Sequence, residues 1–181
     1  MQDLANYDET ATLKNGQKVR IRAIRPTDKT MIMEAFRNLE PESIYTRFFH
    51  AKKTLTDEDL KKITEVDFEN DVALVVTIGS EGGETIIGAG RYAGYETDGG
   101  RRTAEVAFTV EEDYQGQGIA GMLLKRLTAI AREKGVEQFE AEVLAQNRAM
   151  LAVFSHCGLT VKEKYEGGTI HVTMPLADDT P

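Results

Sequence analysis

Glu111-Glu112-Asp113-Tyr114-Gln115-Gly116-Gln117-Gly118-Ile119-Ala120-Gly121 lies between a strand-like run, Ala104 to Val110, and a long amphipathic run, Met122 to Lys134. Two glycines one residue apart at such a junction let the backbone approach a ligand closely. The helical turn that follows has amide N–H groups without intrahelical partners. Their partial positive charge favours phosphate. The stretch therefore predicts a phosphate-bearing ligand.

Two familiar phosphate motifs fit poorly. Walker A needs Lys-Ser or Lys-Thr after its last glycine, and neither is present. Gly116, Gly118 and Gly121 match the dinucleotide pattern literally. In a dinucleotide fold, however, the glycines follow the strand almost directly, within parallel βαβ units. Here Glu111 to Gln115 intervene, and the flanking segments read as hairpins.

Downstream, Ile119, Leu123, Leu127 and Ile130 form one helical stripe, widened by Leu124 and Ala131, and Gly135 closes the helix. Phe139, Ala141 and Val143 then alternate with Glu140, Glu142 and Leu144 in a strand. A helical crossover predicts that this strand runs parallel to Thr103–Val110. Asn147 opens a further helix with Met150, Leu151 and Phe154 inward and Gly158 past its end. Strands Leu159–Lys164 and Thr169–Met174 turn at Glu166-Gly167-Gly168.

Upstream, Val72, Leu74, Val76 and Ile78 alternate in one strand. Ser80 to Gly83 turns it back through Thr85–Tyr92, and Glu96 to Gly100 leads on to Thr103. Links this short predict an antiparallel meander. Val19, Ile21 and Ala23, alternating with Arg20 and Arg22, give a first strand. Pro26-Thr27-Asp28 turns into a helix marked by Met31, Ala35 and Leu39, and Pro41 stops it. Glu42 to Phe49 reads as a short second helix or turn. Thr56 to Asp59 is a capping-box start with Leu60 and Ile63 on the buried side. Residues 1–12 and 177–181 are expected to be flexible, and residues 13–176 to form a single domain.

The 181 residues are 41% hydrophobic, enough for one well-buried core. No run approaches a membrane span, and Met1-Gln2-Asp3 does not begin a charged-then-apolar leader. A single cysteine, Cys157, fits a reducing, cytoplasmic setting. The net charge of −8 argues against nucleic acid and favours cationic partners such as lysine side chains. His50, His156 and His171 are scattered, so no metal is expected.

Gln115-Gly116-Gln117-Gly118-Ile119-Ala120 satisfies the pattern Gln/Arg-x-x-Gly-x-Gly/Ala. That is the pyrophosphate signature of the GNAT acetyltransferases, which this chain resembles. The element order β-α-α-β-β-β-α-β-α-β-β is also theirs. The resemblance implies a mixed α/β (α+β) GNAT fold. Its sheet would be mostly antiparallel, with about seven strands and four or five helices. Leu13-Lys14-Asn15-Gly16, Arg25-Pro26-Thr27-Asp28, Glu42 to Phe49 and Ala104-Glu105-Val106-Ala107-Phe108 look like the bacterial Pat-type protein lysine acetyltransferases. The cofactor set this implies is Phe108, Val110, Gln115, Gly116, Gln117, Gly118, Ile119, Ala120 and Asn147, with acetyl-CoA as co-substrate. Asn147 also suits a helix N-cap.

Acetyl transfer to lysine requires a neutral amine, which costs about 4–5 kcal/mol at pH 7. A nearby carboxylate relieves that cost by taking the proton as attack proceeds. Glu105 is the candidate, because it interrupts an apolar set in the strand that feeds the glycine loop. The matching glutamate in Pat-like enzymes is the general base. Many family members place a tyrosine, the acid for the leaving thiolate, where this chain has Phe154. Either solvent protonates the thiolate, or a residue such as Tyr114 or Tyr165 substitutes. Glu111, Glu112 and Asp113 are expected to face away from the ligand, while Ser155 and Cys157 should point elsewhere. The expected function is N-acetylation of a primary amine, foremost a protein lysine. A small amine or amino acid as acceptor, and a non-catalytic acyl-CoA sensor, are the alternatives.

Overall fold

The computed structural model describes residues 4–37, 56–79, 83–97 and 99–176. Eight strands form one sheet: β1 (Asp8–Thr12), β2 (Lys18–Ala23), β3 (Asp71–Ile78), β4 (Thr85–Glu96), β5 (Arg102–Val110), β6 (Gln138–Leu144), β7 (Lys162–Glu166) and β8 (Thr169–Pro175), in spatial order β1-β2-β3-β4-β5-β6-β8-β7. Four α-helices stand among the described residues: α1 (Lys29–Arg37), α2 (Asp57–Thr64), α3 (Ile119–Glu133) and α4 (Arg148–Ser155). This is the mixed, mostly antiparallel architecture expected, with the meander β3-β4-β5 in place. The expected helix over 42–49, the apolar position Leu39 and the turn over 80–82 lie outside the described residues. So do residues 1–3 and 177–181. No described helix is long and apolar enough to cross a membrane.

The crossover helix α3 makes β5 and β6 parallel, as its length required. The two strands pair only at Thr103↔Gln138, Ala104↔Phe139 and Glu105↔Glu140. Beyond Glu105, β5 stays with β4 to Val110, while β6 stays with β8 to Leu144. The sheet therefore splits just past Glu105, and the split is where the candidate site lies.

Two helical layers cover the sheet. The α3 stripe is buried throughout, with Leu123 and Leu127 fully so, and packs with Phe139, Val143 and Phe154. On the other face Ile32 of α1 and Leu60 of α2 cluster with Ile24, Ala73, Val75 and Ile86. The helix α2 begins as its sequence predicted: Asp59 N donates to Thr56 Oγ1 at 3.1 Å, and Thr56 N donates to Asp59 Oδ2 at 3.0 Å.

Two features go beyond the sequence reading. First, Arg22, which alternates with the apolar residues of β2, is 1% exposed. The helices on that second face enclose it. Its guanidinium donates to both Asp28 oxygens at 2.9 Å and to Glu84 Oε1 at 2.9 Å. Burial pulls the Arg22 pKa down, but these bonds outweigh it and hold the group above its usual range. The same contact, with Thr77, holds Glu84 below the usual carboxylate range. Second, the stretch 1–12 contains β1, paired along its length with β2. Ion pairs fasten it rather than an apolar face: Asp8 with Arg20, and Glu9 with Arg126 of α3.

The close approach of α3 to the sheet depends on Gly90. A Cβ there would lie 2.9 Å from Phe108 Cδ1 and 3.2 Å from Leu123 Cβ. Gly90→Ala should therefore destabilise the fold by about 1–3 kcal/mol through overpacking, read from a lowered urea midpoint with unchanged slope. An unaltered midpoint would mean that α3 shifts freely.

Candidate active site

A cavity of about 1000 Å³ lies beside the end of β5, past its last pairing with β6. Strand β5 gives it Phe108 and Val110; the glycine loop gives Gln115, Gly116 and Gly118; α3 gives Ile119 and Ala120; and Asn147 closes the far side. Those expected cofactor residues thus meet around one space. Gln117 does not line it. Its side-chain Oε1 instead accepts from Asn15 N at 3.0 Å.

The loop conformation requires its glycines. Gly116 has φ +80° and Gly118 φ +89°, in the left-handed region where a Cβ is penalised. Gly118 is also the N-cap of α3 and has no side chain to cap with. The first amides of α3 consequently remain available to an anion. A short 3-10 turn, Glu112–Tyr114, separates strand from glycines, unlike a dinucleotide fold. Within that turn Asp113 is exposed, and its N–H donates to Glu111 Oε2 at 3.2 Å. Gln115 Nε2 donates to Val110 O at 3.3 Å, which ties the loop back to the end of β5.

Asn147 is a helix N-cap: its Oδ1 accepts from Met150 N at 3.2 Å. Phe154 is 1% exposed, and its ring meets Phe108 edge-on at 6.1 Å. It is a core residue rather than a cavity residue. Of the two tyrosines considered as its substitutes, Tyr114 lines the cavity, whereas Tyr165 is 71% exposed and donates to Glu163 Oε2 at 3.4 Å. Ser155 turns away, donating to Ala152 O at 3.1 Å. Cys157, expected to point elsewhere, lines the cavity. The chain leaves α4 through Gly158 at φ +85°, which folds this turn back over the space.

Glu105 is exposed and lies outside the cavity lining, on the face opposite Ala104, Val106 and Phe108. Its cross-strand neighbours are Ala93 of β4 and Glu140 of β6. Glu140 accepts from the Tyr95 hydroxyl and, at 3.5 Å, from Gln138 Nε2. His171 Nδ1 hydrogen-bonds Glu142 Oε1, and its Nε2 is 3.8 Å from Glu140 Oε2. Burial, then the bond to Glu140, pushes the Tyr95 phenol up to about 12. The sequence reading did not include these neighbours in the site. The signal was the parity of β6, which puts Glu140 and Glu142 on the face away from Phe139 and Val143.

The fold is that of an acetyltransferase domain. The family described as "Acetyltransferase (GNAT) family" matches residues 33–159. The chain belongs to that family, whose members take the acetyl group from acetyl-CoA. Among solved structures it is similar to the GNAT domain of S. lividans PAT, with TM-score 0.82 and 33% identity over 93% of this chain and 96% of that one. It is also 32% identical to "Acetyltransferase Pat" of Mycolicibacterium smegmatis over 93% of its own length, but spans only 50% of that protein. An acetyltransferase of Pseudomonas aeruginosa is 30% identical over 77% of this chain and 73% of its own.

Proposed function

We propose that the chain moves acetyl from acetyl-CoA to a primary amine by direct attack, with Glu105 as general base, and that the amine is a protein lysine. One observation carries the reading. Glu105 is the last residue paired with β6 before the split, so a thioester lying in the split has the cavity on one side and Glu105 on the other. The amine approaches from the Glu105 face. As nitrogen attacks the carbonyl carbon, its proton passes to Glu105, directly or through water; the C–S bond then breaks. Phe154 has no proton for the thiolate. Tyr114 is the phenol that the cavity provides.

The acid face supports a cationic acceptor. Glu105 and Glu140 sit on paired positions, so this face offers two neighbouring carboxylates to an incoming ammonium. Protein lysine is supported by the likeness to Pat-type enzymes and by the net charge of −8, which suits a lysine with basic neighbours.

Incubating the chain and acetyl-CoA with bacterial protein extract, then mapping acetyl-lysines by mass spectrometry, tests this reading. New sites above the level given by Glu105→Gln are expected. No new sites, together with rapid turnover of a free amine or amino acid, would move the acceptor to small molecules. No turnover of any amine, despite acetyl-CoA binding, would leave a sensor.

A further inference from the structure

The glycine loop has an electrostatic difficulty that its own residues do not solve. Positions 111–121 hold three carboxylates and no lysine or arginine. A pyrophosphate placed there meets amides, and also like charge close by. Lys125 and Arg132 line the same cavity from farther along α3, but the cation beside the glycines comes from the other end of the chain. Lys14 lines the cavity beside Gly118. Its Cε lies 3.5 Å from the point that a Cβ on Gly118 would occupy. The absence of a side chain at position 118 leaves room for the lysine stem to lie across the loop. Among the described residues no carboxylate pairs with Lys14.

The β1–β2 turn that presents Lys14 is fixed to the loop, not merely near it. Lys14 N donates to Gln117 O at 3.4 Å, and Asn15 N donates to Gln117 Oε1 at 3.0 Å. The turn is itself closed by Leu13 N to Gln17 O at 2.8 Å and by Gln17 N to Asn15 Oδ1 at 2.9 Å. Leu13, adjacent to the lysine, is buried in the core. At the outer end Arg126 Nε donates to Glu9 Oε1 at 2.6 Å, fastening β1 to the helix whose N-terminus forms the site.

We propose that this hairpin is part of the cofactor site and that Lys14 supplies the cation for the pyrophosphate of acetyl-CoA. The proposal rests on the acetyl-CoA reading above. It assigns Gln117 a different task from that of its neighbours: it anchors the hairpin that brings the charge. Lys14 is a positioning residue, since it touches the phosphate end and none of the reacting atoms.

Calorimetry on the full chain with coenzyme A and with 3′-dephospho-coenzyme A provides the test. Lys14→Met should weaken both ligands about tenfold, the range of one lost charge-assisted contact, and Lys14→Arg should recover most of it. Higher salt should reduce the difference between wild type and Lys14→Met. The side chain is exposed, so circular dichroism should not change. Equal affinity of wild type and Lys14→Met for coenzyme A would overturn the proposal while leaving the acetyl-CoA reading intact. A loss confined to coenzyme A and absent with the dephospho ligand would move Lys14 to the 3′-phosphate and overturn the pyrophosphate assignment. No binding of coenzyme A by wild type would instead defeat the acetyl-CoA reading itself.

Discussion

Glu105→Gln should lower turnover by about 10²-fold or more with little change in acetyl-CoA affinity, the pattern of a lost general base. Glutamine keeps the shape and the exposure of the side chain, and removes only its capacity to take a proton. Glu105 does not line the cavity, so the cofactor has little to lose. The register partner Glu140 remains, but its oxygens are engaged by Tyr95 and Gln138. It is therefore a poor replacement. Steady-state kinetics with acetyl-CoA and an acceptor, beside calorimetry with coenzyme A, separates the two effects. An unchanged rate would assign the proton transfer elsewhere. A rate and an affinity that fall together would indicate a disturbed fold.

The largest loss of stability is expected at Asp28. Removing its carboxylate leaves the buried Arg22 guanidinium short of two donated bonds, at a cost of about 3–5 kcal/mol. Glu84 remains, and it is the more exposed of the two partners, at 16% against 2% for the Asp28 side chain. Asp28 also accepts from Arg25 N at 2.8 Å, so the turn before α1 loosens with it. Urea unfolding of Asp28→Ala measures the loss. The double variant Arg22→Met with Asp28→Leu leaves only the partly buried Glu84, still bonded by Thr77 and 3.6 Å from Arg20, and should recover part of it. A single variant as stable as wild type would show that Glu84 alone satisfies Arg22.

The periodicities that the sequence displays are those of elements with one buried face. The α3 stripe from Ile119 to Ile130 and the alternation in β6 were legible for that reason. The burial of Arg22 was not legible, because β2 is covered on both sides and period-2 patterning does not report that. The Arg25-Pro26-Thr27-Asp28 segment was noticed as a likeness, but its task, neutralising a charge in a distant strand, is visible only in space. Strand β1 escaped because Asp8-Glu9-Thr10-Ala11-Thr12 has no apolar face; its partners, Arg20 and Arg126, are fixed by the fold. For the site, the glycines and Asn147 could be placed from local chemistry. Lys14, Tyr95 and His171 could not, since each reaches it through strand register or a long-range contact. The split itself depends on how far two strands stay paired before they diverge, which no local pattern encodes.

The seam between β5 and β6 has a mechanical consequence. β5 and β6 share a ladder at three positions only, and Glu105 is the last of them on β5. Points near a pivot move little for a given angle, and points farther out move more. If the gap widens to admit or release its long, flexible ligand, Phe108 and Val110 sweep through the greater arc while Glu105 holds its station. On the proposed mechanism, a mouth that widens in this way would leave the proposed base, Glu105, in its place.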